Sequence, residues 1–295
     1  MSHSSSRLLQ AATATIIMLL ASGCGGSGIK TEYVLAETLW QQGNYEASAR
    51  QFERVYQKDP KGNLGHQALF RAAMTHYLFL RKFPQAVELF TKYIEVAPEG
   101  SGVNDARMQV GEIYFNKMSQ YENAIQHYRK LLKDSPKSAD SPEFLFRIGR
   151  SQFFLWRFEE AIQTFQALIS AAPQSHQAAE ASYQIGAAHL SIAAQPKSSV
   201  SEDDEEGDEP RVDLKARYRL AIQAFENTEA RYPKTHAAQE AALGVVTAFE
   251  EQGLWEDALN KLKSMGAEYP IPQVIKIRSH HIQERLAKRA QTPRR

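Results

Sequence analysis

Three histidines each stand four residues before an acidic residue, a spacing that puts both side chains on one face of a helix. The pairs are His176 with Glu180, His236 with Glu240, and His280 with Glu284. Imidazole and carboxylate groups bind zinc, but a zinc centre needs three or four of them close together. No tight ligand cluster occurs, and no phosphate-binding glycine loop or nucleophile motif is present. The sequence therefore predicts no metal, no cofactor and no enzyme activity.

A dense acidic run, Glu202–Glu209, lies within residues 195–214. A calcium loop is one interpretation, because acids stand at alternate positions before a glycine and near the end of the segment: Glu202, Asp204, Glu206, Gly207 and Asp213. However, the first ligand is Glu rather than Asp, and Pro210 intrudes. A run of like charges repels itself and cannot be buried, so we expect a disordered, solvated insert.

Cys24 is the only cysteine, so no internal disulfide can form. It follows an apolar run, 11–20, which is too short to span a bilayer and is preceded by one basic residue, Arg7. Residues 1–23 are thus typical of a secretory signal peptide. Their last residues, Leu20-Ala21-Ser22-Gly23, resemble a bacterial lipobox, which implies lipidation of Cys24. The alternative is a chance cysteine after an ordinary signal peptide.

Gly25 follows Cys24, where an Asp would be typical of lipoproteins retained at the inner membrane. The resemblance therefore implies an outer-membrane anchor, with the protein facing the periplasm. We expect residues 24–29, with Gly25-Gly26-Ser27-Gly28, to form a flexible tether. Without residues 1–23 the formal charge falls from +1 to zero, since Arg7 is lost. Such a balance gives no general attraction to nucleic acid.

One pattern recurs along most of the sequence. Around Ala161, an aromatic lies three residues before (Phe158), another lies four after (Phe165), and a proline lies twelve after (Pro173). The other copies are Tyr45/Ser48/Phe52/Pro60, Phe83/Ala86/Phe90/Pro98, Tyr121/Ala124/Tyr128/Pro136, Tyr218/Ala221/Phe225/Pro233 and Trp255/Ala258/Leu262/Pro270. Successive prolines are 38, 38, 37, 60 and 37 residues apart, and the long interval contains the acidic insert.

The spacing predicts a helix, because these three positions share one helical face and the proline ends the helix. Another apolar-periodic segment precedes each such helix, with Gly149 where two backbones could pack tightly. Each unit is therefore a helical hairpin, which cannot bury its apolar face alone. We predict an all-α fold in which six hairpins stack into a solenoid.

The pattern resembles tetratricopeptide repeats, in the order Gly149, Phe158, Ala161, Phe165 and Pro173. The resemblance implies a right-handed solenoid over residues 30–271. Ser48 and Leu262 depart from the family pattern, and the first-helix register of repeat three is ambiguous by one residue. Residues 272–295 are basic with an apolar stripe of Ile275, Ile282 and Leu286, which predicts a C-terminal capping helix and tail.

The loops after three prolines each place a hydroxyl residue two positions on, namely Ser138, Ser175 and Thr235. These residues are predicted helix N-caps. With repeats of 37 to 38 residues, this form is similar to the BamD-like lipoproteins of outer-membrane barrel assembly and to Tol-Pal-associated repeat proteins. The sequence lacks the N-terminal heptads of the latter and has the lipobox-like junction.

Tetratricopeptide solenoids bind other proteins through first-helix positions that lie 15, 11 and 8 residues before the second-helix alanine. The resemblance carries that groove to Tyr33, Glu37, Trp40, Arg71, Thr75, Leu78, Phe146, Arg150, Phe153, Tyr183 and Leu190. Aromatics with interspersed arginines suit peptide binding, although we expect about half of them to pack between helices.

We therefore expect a lipid-anchored scaffold that binds other proteins at the outer membrane, BamD-like in outer-membrane protein assembly. One alternative is a pilotin-like lipoprotein that escorts a secretin. Another is an envelope scaffold that regulates a peptidoglycan enzyme. Each of the three functions needs a different partner protein, so co-purification distinguishes them.

Overall fold

The computed structural model describes residues 25–136, 138–195, 214–266 and 269–291. The predicted signal peptide, Cys24 and residues 196–213 of the insert lie outside them. Over the described residues the protein is all-α, with thirteen α-helices, one π-helical segment and no strand, which confirms the predicted fold class. No helix among them is both long and apolar enough to cross a membrane. The protein divides after Ser119 into two compact units.

Unit 1 contains hairpins one and two and the first helix of hairpin three. Successive helices pack against each other in sequence order. They are α1 (Gly25–Gln41), α2 (Tyr45–Lys58), α3 (Asn63–Leu78), α4 (Phe83–Val96) and α5 (Val103–Glu112), which continues into the π-helical segment Ile113–Lys117.

Unit 2 contains the second helix of hairpin three, hairpins four to six and a final helix. Here too each helix packs against the next. They are α6 (Tyr121–Asp134), α7 (Ser141–Phe154), α8 (Phe158–Ala171), α9 (His176–Ala194), α10 (Leu214–Arg231), α11 (His236–Glu251), α12 (Trp255–Met265) and α13 (Pro272–Gln291). The insert joins α9 to α10, the two helices of hairpin five.

The second helix of each hairpin buries its reference residue and the residue four later, while the aromatic three residues before is buried in α8 and partly buried in the others. In α8, Phe158, Ala161 and Phe165 are all buried. Five of the six second helices begin at the aromatic three residues before the reference position: α2, α4, α6, α8 and α12. The aromatic therefore both starts the helix and fixes the face that packs.

Glycine on a first helix makes room for a ring on the second. A Cβ built at Gly149 would stand 2.5 Å from Phe165 Cε1, and one at Gly186 would stand 2.5 Å from Phe225 Cδ1. The expected close approach is therefore present, but the group that fills the space is an aromatic ring rather than a second backbone.

The π-helical segment Ile113–Lys117 explains the ambiguous register of repeat three. A π-bulge accommodates one extra residue within a helix. Ile113 and Phe115 remain buried through it. The extra residue is thus absorbed while the apolar face still points into the core.

Two of the three predicted N-caps are confirmed. The hydroxyl oxygens of Ser175 and Thr235 accept hydrogen bonds from the backbone N–H groups of Ala178 and Ala238, both at 3.2 Å. Each hydroxyl satisfies one of the amide groups that a helix start leaves without a partner.

The predicted cap at Ser138 is wrong, because α7 begins at Ser141 with Asp140 in the N-cap position. Pro142 lies in the first turn, where its fixed φ favours a helix start and its missing N–H costs nothing. Ser138 instead accepts a hydrogen bond from the Asp140 backbone N–H at 3.2 Å.

The predicted flexible tether is also wrong, since residues 25–28 form the first turn of α1. Ile29 and Tyr33 pack against the core around Phe52 and thereby hold the helix. Extending an existing helix requires no new nucleus, and no proline stops it. The glycines therefore continue the helix instead of forming a loop.

Helix α13 packs against α12 through its apolar stripe. Ile282 is buried with Leu262, while Ile275 and Leu286 are partly buried against the same cluster. Helix α13, the last of the described helices, thus covers one side of this apolar cluster.

We predict that Gly149→Ala lowers the free energy of unfolding by about 1–3 kcal/mol, because the added methyl overpacks the Phe165 ring. Urea unfolding followed by circular dichroism measures the loss. Gly28→Ala is the control, since a Cβ there meets nothing within 4 Å. In the double variant with Phe165→Leu the losses should be less than additive, and full additivity would contradict the ring contact.

Candidate protein-binding surfaces

The predicted residues of repeats one and two converge in unit 1. The Arg71 guanidinium lies 5.2 Å from the Trp40 ring centroid and 3.6 Å from the Glu37 carboxylate. Tyr33 meets Phe52 edge-on, with ring centroids 5.4 Å apart. Trp40 and Glu37 of α1 thus meet Arg71 of α3, and we call these three residues the Trp40 cluster. Tyr33 packs beneath them against the core around Phe52.

Burial raises the pKa of the Tyr33 hydroxyl, and the negative charge of Glu37 raises it further. The nearby Arg71 acts in the opposite direction but is the smaller influence. Tyr33 therefore stays a neutral hydrogen-bond donor across the physiological pH range.

Thr75 does not belong to the Trp40 cluster. It is 1% exposed, and its hydroxyl donates to the Arg71 backbone carbonyl at 2.7 Å. Leu78, in contrast, is exposed, as is its neighbour Phe79. Phe79 lies 5.3 Å from Trp40, ring to ring. The sequence analysis missed Phe79 because it follows the last residue of α3, outside the first-helix spacing.

In unit 2, Phe146, Arg150 and Phe153 all lie on α7. The Arg150 guanidinium lies 6.0 Å from the Phe146 ring centroid and 5.8 Å from that of Phe154. Phe153 meets Phe158 edge-on at 5.1 Å. The arginine thus lies over aromatic faces, an attractive cation–π arrangement.

An open apolar cavity of about 380 Å³ lies at the turn between α7 and α8. Phe154 is 44% exposed there and Trp156 is 72% exposed. We call it the Trp156 pocket, and its lining comprises Phe153, Phe154, Trp156, Phe158, Ser191, Ala194 and Gln195. Large exposed aromatics around an apolar hollow are a common sign of a protein-binding site.

The predicted residues of α9 do not join this pocket. Tyr183 and Leu190 pack, partly buried, against the core around Phe225. Six of the eleven predicted groove residues are packed in this way or buried: Tyr33, Thr75, Phe146, Phe153, Tyr183 and Leu190.

Residues 33–77, 71–139 and 115–176 match the family model described as "Tetratricopeptide repeat". The matched stretch, residues 33–176, belongs to the tetratricopeptide-repeat family. Tetratricopeptide repeats form protein-interaction scaffolds and are generally not enzymes. The comparison with curated proteins gives no match.

Solved structures share the fold. A tetratricopeptide repeat protein from Parabacteroides merdae ATCC 43184 is 13% identical, with a TM-score of 0.51 over 89% of this protein and 93% of that one. PilW, described as a widely conserved type IV pilus biogenesis factor, is 14% identical, with a TM-score of 0.48 over 84% of this protein and 97% of that one. At such identities the likeness shows the fold alone.

The turn between the two helices of a tetratricopeptide repeat needs one left-handed residue. In five repeats a residue with positive φ stands five positions before the second-helix reference residue: Gly43, Arg81, Ser119, Trp156 and Gly253. Trp156 holds a φ of 61°. A side chain in this conformation costs about 1–2 kcal/mol, which glycine avoids. A tryptophan at a turn position where repeats one and six have glycine could have marked Trp156 as a candidate functional residue in the sequence.

Within the described ranges, no group of three or more His, Cys, Asp and Glu side chains is placed to hold a metal ion. Two of the sequence pairs do form ion-pair contacts. His236 Nε2 lies 3.8 Å from Glu240 Oε1, and His280 Nε2 lies 3.3 Å from Glu284 Oε1. Both are exposed contacts between neighbouring helical turns.

We predict that Trp156→Gly leaves the free energy of unfolding unchanged or raises it by up to about 1 kcal/mol. Relief of the left-handed strain offsets the lost contact with Phe158. Thermal unfolding measures the change. As the control, Gly43→Ala at the same turn position should lose about 1 kcal/mol, since a Cβ there meets nothing within 4 Å and only the conformation is penalised. A marked loss in Trp156→Gly would show that Trp156 is structural.

Proposed function

We propose that this tetratricopeptide-repeat protein is a lipid-anchored scaffold at the outer membrane that binds segments of partner proteins through the Trp156 pocket. The observation that supports it most directly is Trp156 itself. It is exposed, strained and beside an apolar cavity, while the equivalent turn residues of repeats one and six are glycine. Arg81 and Ser119 share the left-handed backbone, so it is the large exposed ring beside an apolar cavity that is best explained by binding.

The chemistry of the pocket favours an apolar or aromatic side chain on the partner. Phe154 and Trp156 offer exposed ring faces and edges, and a cavity of about 380 Å³ accepts a side chain of that class. Burial of one such side chain stabilises a complex by about 1.5–3 kcal/mol. Rigid aromatic anchors of this kind dominate the energy of many interfaces.

The Trp40 cluster supplies a second candidate surface in unit 1. Leu78 and Phe79 are exposed beside Trp40, and Arg71 is held by both the Trp40 ring and Glu37. This surface combines exposed apolar area with a guanidinium that is already paired with Glu37, so it suits a segment whose side chains are mainly apolar.

The assignment to outer-membrane protein assembly rests on sequence resemblance. It is supported by the lipobox-like residues before Cys24, the 37- to 38-residue proline spacing, and the hydroxyl caps at Ser175 and Thr235. BamD-like function in barrel assembly is therefore our proposal for the partner class. An anchored scaffold at that membrane would present both surfaces to the periplasm.

We predict that Trp156→Gly weakens partner capture about tenfold or more, as removal of an interface anchor does. Capture is measured by co-purification from cells in mild detergent, with mass spectrometry of the bound proteins. Arg81→Gly is the matched control, because it makes the same kind of change at the equivalent turn of repeat two and should leave capture unchanged.

A barrel-assembly component among the captured proteins supports the proposal. Capture of a secretin or a murein synthase in its place would overturn the assembly assignment while leaving the scaffold function intact. Equal capture by Trp156→Gly and the original protein would contradict the role of the pocket.

We further predict that Cys24→Ser moves the protein from the membrane fraction to the soluble periplasmic fraction, because stable anchoring requires acyl groups on the cysteine. Sucrose-gradient fractionation with an immunoblot shows the distribution. Membrane association that persists in Cys24→Ser would contradict lipid anchoring.

A further inference from the structure

A second cavity lies between α13 and the turn that joins α11 to α12. It has a volume of about 440 Å³ and shares no residue with the Trp156 pocket. One wall carries Arg278, His281 and Arg285 of α13, and the opposite wall carries Glu250, Glu251 and Trp255, with Ile282 at the base. We call it the Arg285 groove.

Arg278 has a structural partner. Its guanidinium donates to the Glu250 carboxylate, and to the Thr247 hydroxyl at 3.1 Å. The Arg278 and Glu250 side chains are 24% and 25% exposed, so this pair is largely shielded from water. It neutralises Glu250 and ties α13 to α11, which fixes the position of the groove's basic wall.

Arg285 is placed differently. Its guanidinium carbon lies 4.9 Å from the Trp255 ring centroid, yet among the described residues no carboxylate lies within ion-pair distance of it. Stacking holds the planar guanidinium in place and leaves its N–H donors free at the edge. Arg289 is exposed one helical turn further on, so the positive charge continues along the same edge of α13.

The Glu251 carboxylate on the opposite wall selects against dense anions, since Glu250 is already paired with Arg278. Glu251 is exposed and would repel a phosphate group or the surface of an anionic bilayer. A peptide differs, because a single carboxylate can pair with Arg285 in a two-point contact while its backbone N–H groups face Glu251. The recessed base at Ile282 also favours a narrow, extended ligand over a flat surface.

We propose that the Arg285 groove binds an extended segment of a partner protein through one carboxylate, seated on Arg285. The carboxylate belongs either to an acidic side chain or to the C-terminus of the partner, since both present the same two oxygens. The Arg285 groove shares no residue with the Trp156 pocket. A failure of one binding proposal therefore leaves the other standing.

The experiment measures fluorescence anisotropy of three labelled peptides titrated with the full-length protein. The first is dansyl-Gly-Ser-Ala-Leu with a free C-terminal carboxylate, the second is its C-terminal amide, and the third is dansyl-Gly-Asp-Ala-Leu amide, since the dansyl label itself carries no acid. We expect the first or the third to bind and the second not to bind. The first and third peptides separate the C-terminal source of the carboxylate from the side-chain source.

Arg285→Gln should weaken binding of the carboxylate peptide about tenfold, the loss expected for a charge-assisted pair. Lys276→Gln is the matched control, because it removes the same charge from an exposed position of the same helix and should change the affinity less than twofold. Arg285→Lys keeps the charge without the planar fork, so it should fall between the two. If Arg285→Gln lowers the melting temperature, Arg285→Lys still tests the contact with the carboxylate.

Three results would overturn the proposal. They are equal binding of the amide lacking an acid, equal losses in Arg285→Gln and Lys276→Gln, and failure of both carboxylate peptides to bind. Binding of phosphatidylglycerol vesicles through Arg285 without peptide binding would likewise replace a protein ligand by a lipid surface.

Discussion

The contact between a first-helix glycine and a second-helix ring is the constraint on which hairpins four and five depend. Phe165 lies against Gly149, and Phe225 lies against both Gly186 and Gly244. Without a Cβ at those glycines, the ring enters the space that a side chain would occupy, and the two helices approach closely. Phe165 and Phe225 are consequently at most 1% exposed. The Phe165 and Phe225 rings are therefore fixed by packing. Exposed aromatics such as Trp156 take no part in these glycine contacts.

Among the described residues two arginines stack on tryptophan. They differ in whether an acidic side chain already compensates the charge. Arg71 lies over Trp40 but also meets Glu37, so its charge is already compensated. Arg285 lies over Trp255 without such an acid among the described residues. Since the formal net charge of the whole protein is +1, attraction to partners depends on such local groups rather than on a general field.

The repeat pattern predicts the second helices well because it records their buried face directly. Phe158, Ala161 and Phe165 are spaced as one helical stripe, so burial and helix follow together. Local backbone chemistry was harder to predict. Pro142 moved a helix start away from Ser138, and the π-helical segment absorbed a residue that spacing alone could not place. Packing around Ile29 carried α1 back through glycines that suggest a loop.

The exposure of the candidate surface residues was predictable only in part, for a related physical reason. First-helix spacing shows which residues share a face, but not how far neighbouring helices cover them. Tyr183 therefore packs into the core while Leu78 remains exposed. Trp156 and Phe79 lie in or beside turns, outside any helical period. Their exposure follows from the geometry of the turns. The spacing of residues on the first helices carries no information about that geometry.

We infer that the exposed tryptophan of the fourth repeat contacts another protein. Photo-crosslinking in living cells tests it most directly, with a benzoylphenylalanine replacing Trp156 or, for comparison, Arg81 at the equivalent turn. We predict a discrete protein adduct from position 156 and none from position 81. No adduct at position 156, or the same adducts from both positions, would contradict it.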